Sequence, residues 1–216
     1  VGTYSTNVMG TVHVLECVRR TQGVESFVNV TTDKVYDNRE WVWGYRETDP
    51  LDGFDPYSNS KSCSELVTHS YIRSFFSKEG PAVSTVRAGN VIGGGDFARD
   101  RIIPDCVRAA LGQKPVFVRN PFSVRPFQHV LDPLSVYLMI GAKQAQNPAL
   151  AGCYNVGPKE ADCISAGKLA ELFCRFWGEG QTWNGPEMAE GEKRPDLSPH
   201  EAGFLKLDCS KLASVF

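Results

Sequence analysis

An α/β fold built on a parallel sheet is what this sequence predicts, and three observations lead there. Strand-like and helix-like patterns alternate along the chain. Val24–Val30 is an apolar, β-branched run that reads as a buried strand, and Val83–Arg87 reads as a second strand. The first run ends in Thr31-Thr32-Asp33-Lys34, a polar cluster at the strand end where open parallel sheets bind ligands.

The elements follow in order. Val8, Val12, Leu15 and Val18 fall at helical spacing and predict an opening helix, with Gly23 as its C′ residue. After the first strand, Tyr36 to Phe54 is long, polar and aromatic, and a loop of that length inside a compact domain points to function. Asp55-Pro56 reads as N-cap and first helical residue. The helix it starts keeps Cys63, Leu66, Val67, Tyr71 and Phe75 near one face and is closed by Gly80-Pro81. Val83–Arg87 then leads into Ala88 to Asp96, and residues 1–96 form the first region.

Residues 97–216 have a different texture, with shorter elements that predict a smaller mixed α/β region. Helices are expected over Arg101–Gly112, from a cap at Asp132-Pro133 to Gln146, and over Ser165–Trp177. Short strands are expected at Val116–Val118, Phe127–Val130 and Gly152–Val156, and a loop at Asn184–Pro199. Some of these segments are expected to return to the first region's sheet.

Composition narrows the partners. The chain has 216 residues and a net charge of −2, so it lacks the basic excess of a nucleic-acid or anionic-membrane binder. No stretch approaches the roughly 20 apolar residues of a membrane span. Seven cysteines without a CxxC pair read as reduced thiols of a cytoplasmic protein, and four histidines show no metal-ligand spacing.

The chemistry centres on Thr32, Asp33, Lys34, Tyr57 and Lys61. Four residues on a helix place Tyr57 and Lys61 on one face, where a fixed cation stabilises a phenolate and turns a weak base into a usable one. A hydroxyl at Thr32 can hold the same substrate oxygen. A proton-handling site at the sheet rim is the reading. Gly93-Gly94-Gly95 is not a dinucleotide fingerprint, because it lacks GxGxxG and follows the second strand, beyond the Tyr57 helix.

The motifs Thr6-Asn7-Val8-Met9-Gly10-Thr11, Tyr57-Ser58-Asn59-Ser60-Lys61, Arg87-Ala88-Gly89-Asn90-Val91-Ile92-Gly93, Arg125-Pro126-Phe127-Gln128-His129-Val130 and Tyr154-Asn155-Val156-Gly157 together resemble the extended short-chain dehydrogenase/reductases that act on nucleotide sugars. Within that family, Thr32 to Tyr36 and Trp41 to Tyr45 are most similar to the hexose 4,6-dehydratases, with CDP-glucose as the implied substrate. The resemblance implies the C-terminal part of a Rossmann-like doubly wound sheet, a nucleotide-sugar-binding carboxyl region, NAD as cofactor and a homodimer. Tyr57 would take the sugar 4-hydroxyl proton as hydride passes from C4 to NAD, Lys61 would support the phenolate and hold the nicotinamide ribose, and Thr32 would bind the 4-oxygen. Asp33 would be the acid for the departing 6-hydroxyl, and Lys34 stands where relatives carry a glutamate, as base or as support for the enolate. Asn90 would bind the cofactor amide or a substrate phosphate, Arg125 and Arg194 would pair with the diphosphate, and Asn155 would hold the nucleotide ribose or phosphate. His129 reads as structural. A 4-epimerase or a non-catalytic nucleotide-sugar or NAD sensor remains open at this point.

The family's glycine-rich pyrophosphate loop is expected upstream of Val1, which makes the chain a fragment on this reading. Weaker than micromolar NAD binding by the 216-residue chain in equilibrium dialysis is therefore the expected outcome.

Overall fold

The computed structural model describes residues 1–77, 80–178, 180–186 and 203–216. The chain opens on α1 (Gly2–Tyr4) and α2 (Gly10–Arg20), joined by a π-turn over Ser5–Met9. β1 (Ser26–Thr32) ends in a 3₁₀ turn, Asp33–Val35, and after the long loop comes α3 (Pro56–Tyr71), prolonged by a π-turn over Ile72–Phe76. β2 (Ala82–Ala88), β3 (Val91–Ile92), α4 (Ile102–Leu111), β4 (Val116–Phe117), β5 (Val124–Arg125) and β6 (Gln128–His129) follow. The rest comprises α5 (Leu131–Gln146), β7 (Cys153–Val156), β8 (Ile164–Ser165), α6 (Ala166–Trp177), β9 (Trp183–Asn184) and α7 (Ser210–Val215).

The main sheet is parallel, in the order β1-β2-β7, with Val30 opposite Val86 and Arg87 opposite Asn155. On one face Leu15, Phe76 and Val83 form a core with Val18, Phe27 and Val67, so α2 and α3 cover that side. On the other, Val86, Ile140, Tyr154 and Val156 pack with Tyr137 and Leu212 from α5 and α7. Gln144 pins α5 to the strands: its amide nitrogen donates to Ser26 Oγ, Phe27 O and Ala82 O, and its oxygen accepts from Ser84. A separate core of Cys106, Val116, Val118, Ala170 and Cys174 joins α4 to α6.

Five expectations change. β1 runs two residues later than expected, so Thr31 and Thr32 lie inside it. As an edge strand of the described sheet it is only partly covered, and Val30 is 43% exposed, whereas central β2 is buried throughout. The buried face of α3 is polar: Ser58, Ser60, Ser62, Ser64, Glu65 and Thr68 point inward, while Leu66 and Phe75 are exposed. Small hydroxyl residues let elements approach closely and still pair, as Asn7 does with Ser60, Thr11 with Ser64, and Asn29 with Ser64 and Thr68. At the helix ends, α2 stops at Thr21 rather than before Gly23, and Asp132 lies in the first turn of α5 instead of capping it, its N-cap being Val130.

Beneath the sheet rim, Glu65 and Arg87 form a fully buried ion pair. Arg87 Nε and Nη2 donate to the two carboxylate oxygens at 2.7 and 2.5 Å, and Thr31 and Thr85 hydroxyls donate to the same oxygens at 2.6 and 3.1 Å. Desolvation opposes the charge on Arg87, but Glu65 outweighs it and raises the guanidinium's pKa further. Arg87 Nη1 donates to Tyr36 Oη at 2.8 Å, and Tyr36 Oη donates to Asn155 Oδ1 at 2.6 Å. The network thus ties α3, β1, β2, β7 and the long loop together.

Arg87→Met strands Glu65 without a counter-charge in the interior. The expected cost is about 3–5 kcal/mol, read as a lower urea midpoint.

Candidate active site

The site grows from two chain segments that the network clamps. At the end of β1, Thr32 caps the Asp33–Val35 turn, its Oγ1 accepting from Lys34 N at 3.4 Å and donating to Asp33 Oδ1 at 3.0 Å. The turn folds the Asp33 side chain inward, leaving it 1% exposed. Lys34 Nζ lies 3.4 Å from Oδ1, whereas Oδ2 is buried with no hydrogen-bond partner. Buried polar atoms are nearly always paired, so an orphan carboxylate oxygen calls for an explanation such as a ligand group.

The second segment is the start of α3. Asp55 accepts from the N–H groups of Tyr57 and Ser58 at 2.9 and 3.1 Å, and from Ser58 Oγ at 2.5 Å. Desolvation works against the Asp55 carboxylate, yet these hydrogen bonds hold its pKa below the ordinary value. Pro56 occupies the first turn, and Gly53 lets the incoming chain lie against the Ser58 carbonyl, where a Cβ would collide. Tyr57 is thereby fixed by its backbone while its ring stays 47% exposed. One turn on, Lys61 Nζ donates to Val30 O at 3.4 Å, and desolvation pushes its pKa down.

Thr32, Asp33, Lys34, Tyr57 and Asn90 all line one cavity of about 660 Å³. Asn90 follows β2, and its Oδ1 is a second buried oxygen without a partner. Gly89 beside it packs on Pro126, leaving no room for a Cβ. Tyr137 of α5 lines the same cavity, but burial pushes its phenol up to about 12, which leaves it a donor and not a base. A neighbouring cavity of about 650 Å³ shares Lys34, Asp55 and Asn90 with the first and adds Arg125, Phe117 and Arg119.

Not every expected residue reaches these cavities. Asn155 is fully buried on β7 and lines neither; its Oδ1 accepts from Tyr36, and its Nδ2 donates to Tyr45 O and Asp208 O. Arg194 lies outside the described residues. His129 is exposed, and its Nδ1 accepts from Leu131 N at the start of α5. Asp55, Phe117, Arg119 and Tyr137 went unnoticed as cavity residues. Only Asp55 carried a signal, as the cap of the Tyr57 helix; the others sit on elements whose approach to the strand ends no spacing encodes.

Residues 1–157 match the NAD dependent epimerase/dehydratase family. The chain belongs to this family. Among curated members, the CDP-glucose 4,6-dehydratase of Salmonella typhimurium is 46% identical over 98% of this chain, and the dTDP-glucose 4,6-dehydratase of Streptomyces griseus is 30% identical over 88% of it. The chain spans 58% and 54% of the length of these two relatives. Solved structures of the epimerase/dehydratase type share the fold: the Bacillus cereus UDP-glucuronic acid 4-epimerase with UDP-glucuronic acid and NAD superposes with a TM-score of 0.78 at 19% identity. The Bacillus anthracis dTDP-glucose 4,6-dehydratase with NAD gives 0.77 at 24%. Each match covers 98% of this chain and 61% of the other. The fold is the Rossmann-type α/β fold of these enzymes.

Asp55→Ala removes the cap that orients the first turn of α3. It is expected to lower stability by about 1 kcal/mol, measured by urea unfolding.

Proposed function

We propose that the protein carrying this chain is an NAD-dependent hydro-lyase that converts a nucleotide-activated hexose, CDP-glucose, to its 4-keto-6-deoxy product. The observation that carries the reading is the meeting of a phenol, a hydroxyl and a buried acid with an unpaired oxygen in one cavity. A 4-epimerase shares the phenol and lysine but has no use for an acid and a lysine at positions 33 and 34. The 46% identity with a CDP-glucose 4,6-dehydratase supports the nucleotide, and the second cavity, with Arg125, Arg119 and Phe117, offers a place for the nucleotide diphosphate.

NAD fits the residues present: the cavity lies at the strand ends and is lined by Tyr57 and by Asn90, whose side-chain oxygen is unpaired, while Lys61 lines neither cavity and holds Val30 O one turn on from Tyr57. Bound there, NAD supplies the acceptor and donor of hydride, which makes the overall conversion redox-neutral. The chain's own work is proton transfer. Tyr57 Oη takes the proton of the sugar 4-hydroxyl while Thr32 Oγ1 holds that oxygen in place. Lys61, one helical turn from Tyr57, is the cation that supports this proton transfer. A C4 carbonyl acidifies the C5 hydrogen, which Lys34 removes as base or whose enolate it stabilises as a cation. Asp33 then delivers a proton to the leaving 6-hydroxyl, a role suited to a carboxyl screened from water. A homodimer is the assembly we favour, because Tyr4, Met9 and Val14 on the opening helices and Leu66 and Phe75 after Tyr57 leave apolar side chains exposed. Seven unpaired cysteines suit the reducing cytoplasm.

The intact enzyme incubated with CDP-glucose is expected to yield a product one water lighter that carries a ketone by NMR. A C4 epimer of unchanged mass would establish the epimerase reading instead. Tyr57→Phe and Asp33→Asn are each expected to lower kcat by about 10²–10⁴-fold. Asp33→Asn differs in kind, because exchange of the C4 hydride with bound cofactor should survive while water loss stops. Lys34→Gln with unchanged turnover would remove that residue from the mechanism.

A further inference from the structure

Away from the cavities, on the face of the sheet under α3, the imidazole of His69 meets the sulfur of Cys153. The Nε2···Sγ separation is 3.1 Å, between a helix residue and the first residue of β7. Neither side chain has a part in the proposed dehydration. We propose that His69 and Cys153 form an imidazolium–thiolate pair, which makes Cys153 a site of covalent modification by soft alkylating electrophiles.

The surroundings bear on the charge state from every side. Glu65, one turn before His69 on α3, presents a carboxylate, and Arg87 and the Thr85 hydroxyl face the pair from β2. Lys211 of α7 donates to the backbone oxygen of Cys153 at 2.8 Å. Desolvation disfavours the thiolate, but the hydrogen bond from His69 and the charges of His69 and Arg87 hold the thiol's pKa below its ordinary value. The hydrogen bond to Cys153 raises that of His69 against desolvation, and the negative charges of Cys153 and Glu65 add to the rise while Arg87 opposes it. The other cysteines with a shifted thiol go the opposite way: burial pushes Cys106 and Cys209 up to about 12 and raises Cys163 and Cys174 as well.

A metal site is the competing use of the same atoms, since Glu65, His69 and Cys153 place one donor each within 4.8 Å of one another. Glu65 is a poor ligand, because both of its oxygens already accept two hydrogen bonds, from Arg87, Thr31 and Thr85. Two ligands remain, too few for a structural zinc. A thiolate is the reactive form of cysteine, and a neighbouring imidazolium is a known means of populating it at neutral pH. In the reaction, the sulfur lone pair attacks the carbon that bears the leaving group. With iodoacetamide, a C–S bond forms as the C–I bond breaks, iodide leaves with the electron pair, and the thiol proton stays on His69.

The test is timed labelling of the intact folded protein with iodoacetamide at about pH 6.5, followed by peptide mapping. Cys153 is expected to react about tenfold faster than exposed Cys17, with a rate that stays nearly flat as pH rises. His69→Gln, checked for native circular dichroism, should abolish both the rate advantage and the flat profile. The proposal is overturned if Cys153 labels no faster than Cys17, labels only in urea, or keeps its rate in His69→Gln. Protection of Cys153 by equimolar zinc would replace it with a metal site.

Discussion

The buried pair of Glu65 and Arg87 is the constraint on which the rest of this structure depends. Two full charges out of water cost several kcal/mol each, and such a pair breaks even only when every remaining lone pair and proton is used. Here all four acceptor positions of Glu65 and four of the five N–H groups of Arg87 are used, with Thr31, Thr85, Tyr36 and the Glu47 carbonyl as the further partners. The partners come from α3, β1, β2 and the loop, so satisfying the pair requires that these segments meet in one geometry.

That geometry sets the site. Thr31 precedes Thr32, Glu65 lies one turn beyond Lys61, Arg87 comes three residues before Asn90, and Tyr36 follows the Asp33–Val35 turn. Thr32, Asp33, Lys34, Lys61 and Asn90 are thus within four residues of an anchor in the network, and Tyr57 lies on the helix that carries Glu65. Among the described residues three buried polar side-chain atoms are left unpaired, and two of them, Asp33 Oδ2 and Asn90 Oδ1, belong to cavity residues; the third is Trp41 Nε1. A saturated network beneath an unsaturated rim is the arrangement expected of a preformed polar site, where the lower layer holds the backbone still and the upper layer keeps its hydrogen-bonding capacity for a ligand.

Local signals were legible and non-local ones were not. The Asp55-Pro56 start of α3 and the β-branched run of β2 are short-range chemistry, and both stand in the structure as their residues suggest. The inward face of α3 was misread, because apolar periodicity assumes that burial means an oily neighbour; here the neighbours are Asn7, Thr11 and Asn29, and hydroxyls pack closer than leucines. Asn155 looked like a ligand for substrate because it follows a strand, but the folded loop brings Tyr36, Tyr45 and Asp208 onto it and takes up its whole amide.

By itself, the amino-acid order indicated the longer helices and the strands of the main sheet, that this sheet is parallel, and which residue types stand at its strand ends. Caps, β-branched runs and proline act over a few residues, so they can be read without the fold. Only the tertiary structure decided which oxygens stay unpaired, which arginine is buried and which cysteine meets a histidine. Those outcomes turn on contacts between residues far apart in the chain, as with His69 and Cys153, 84 positions apart, whose closeness is a property of packing and of no local pattern.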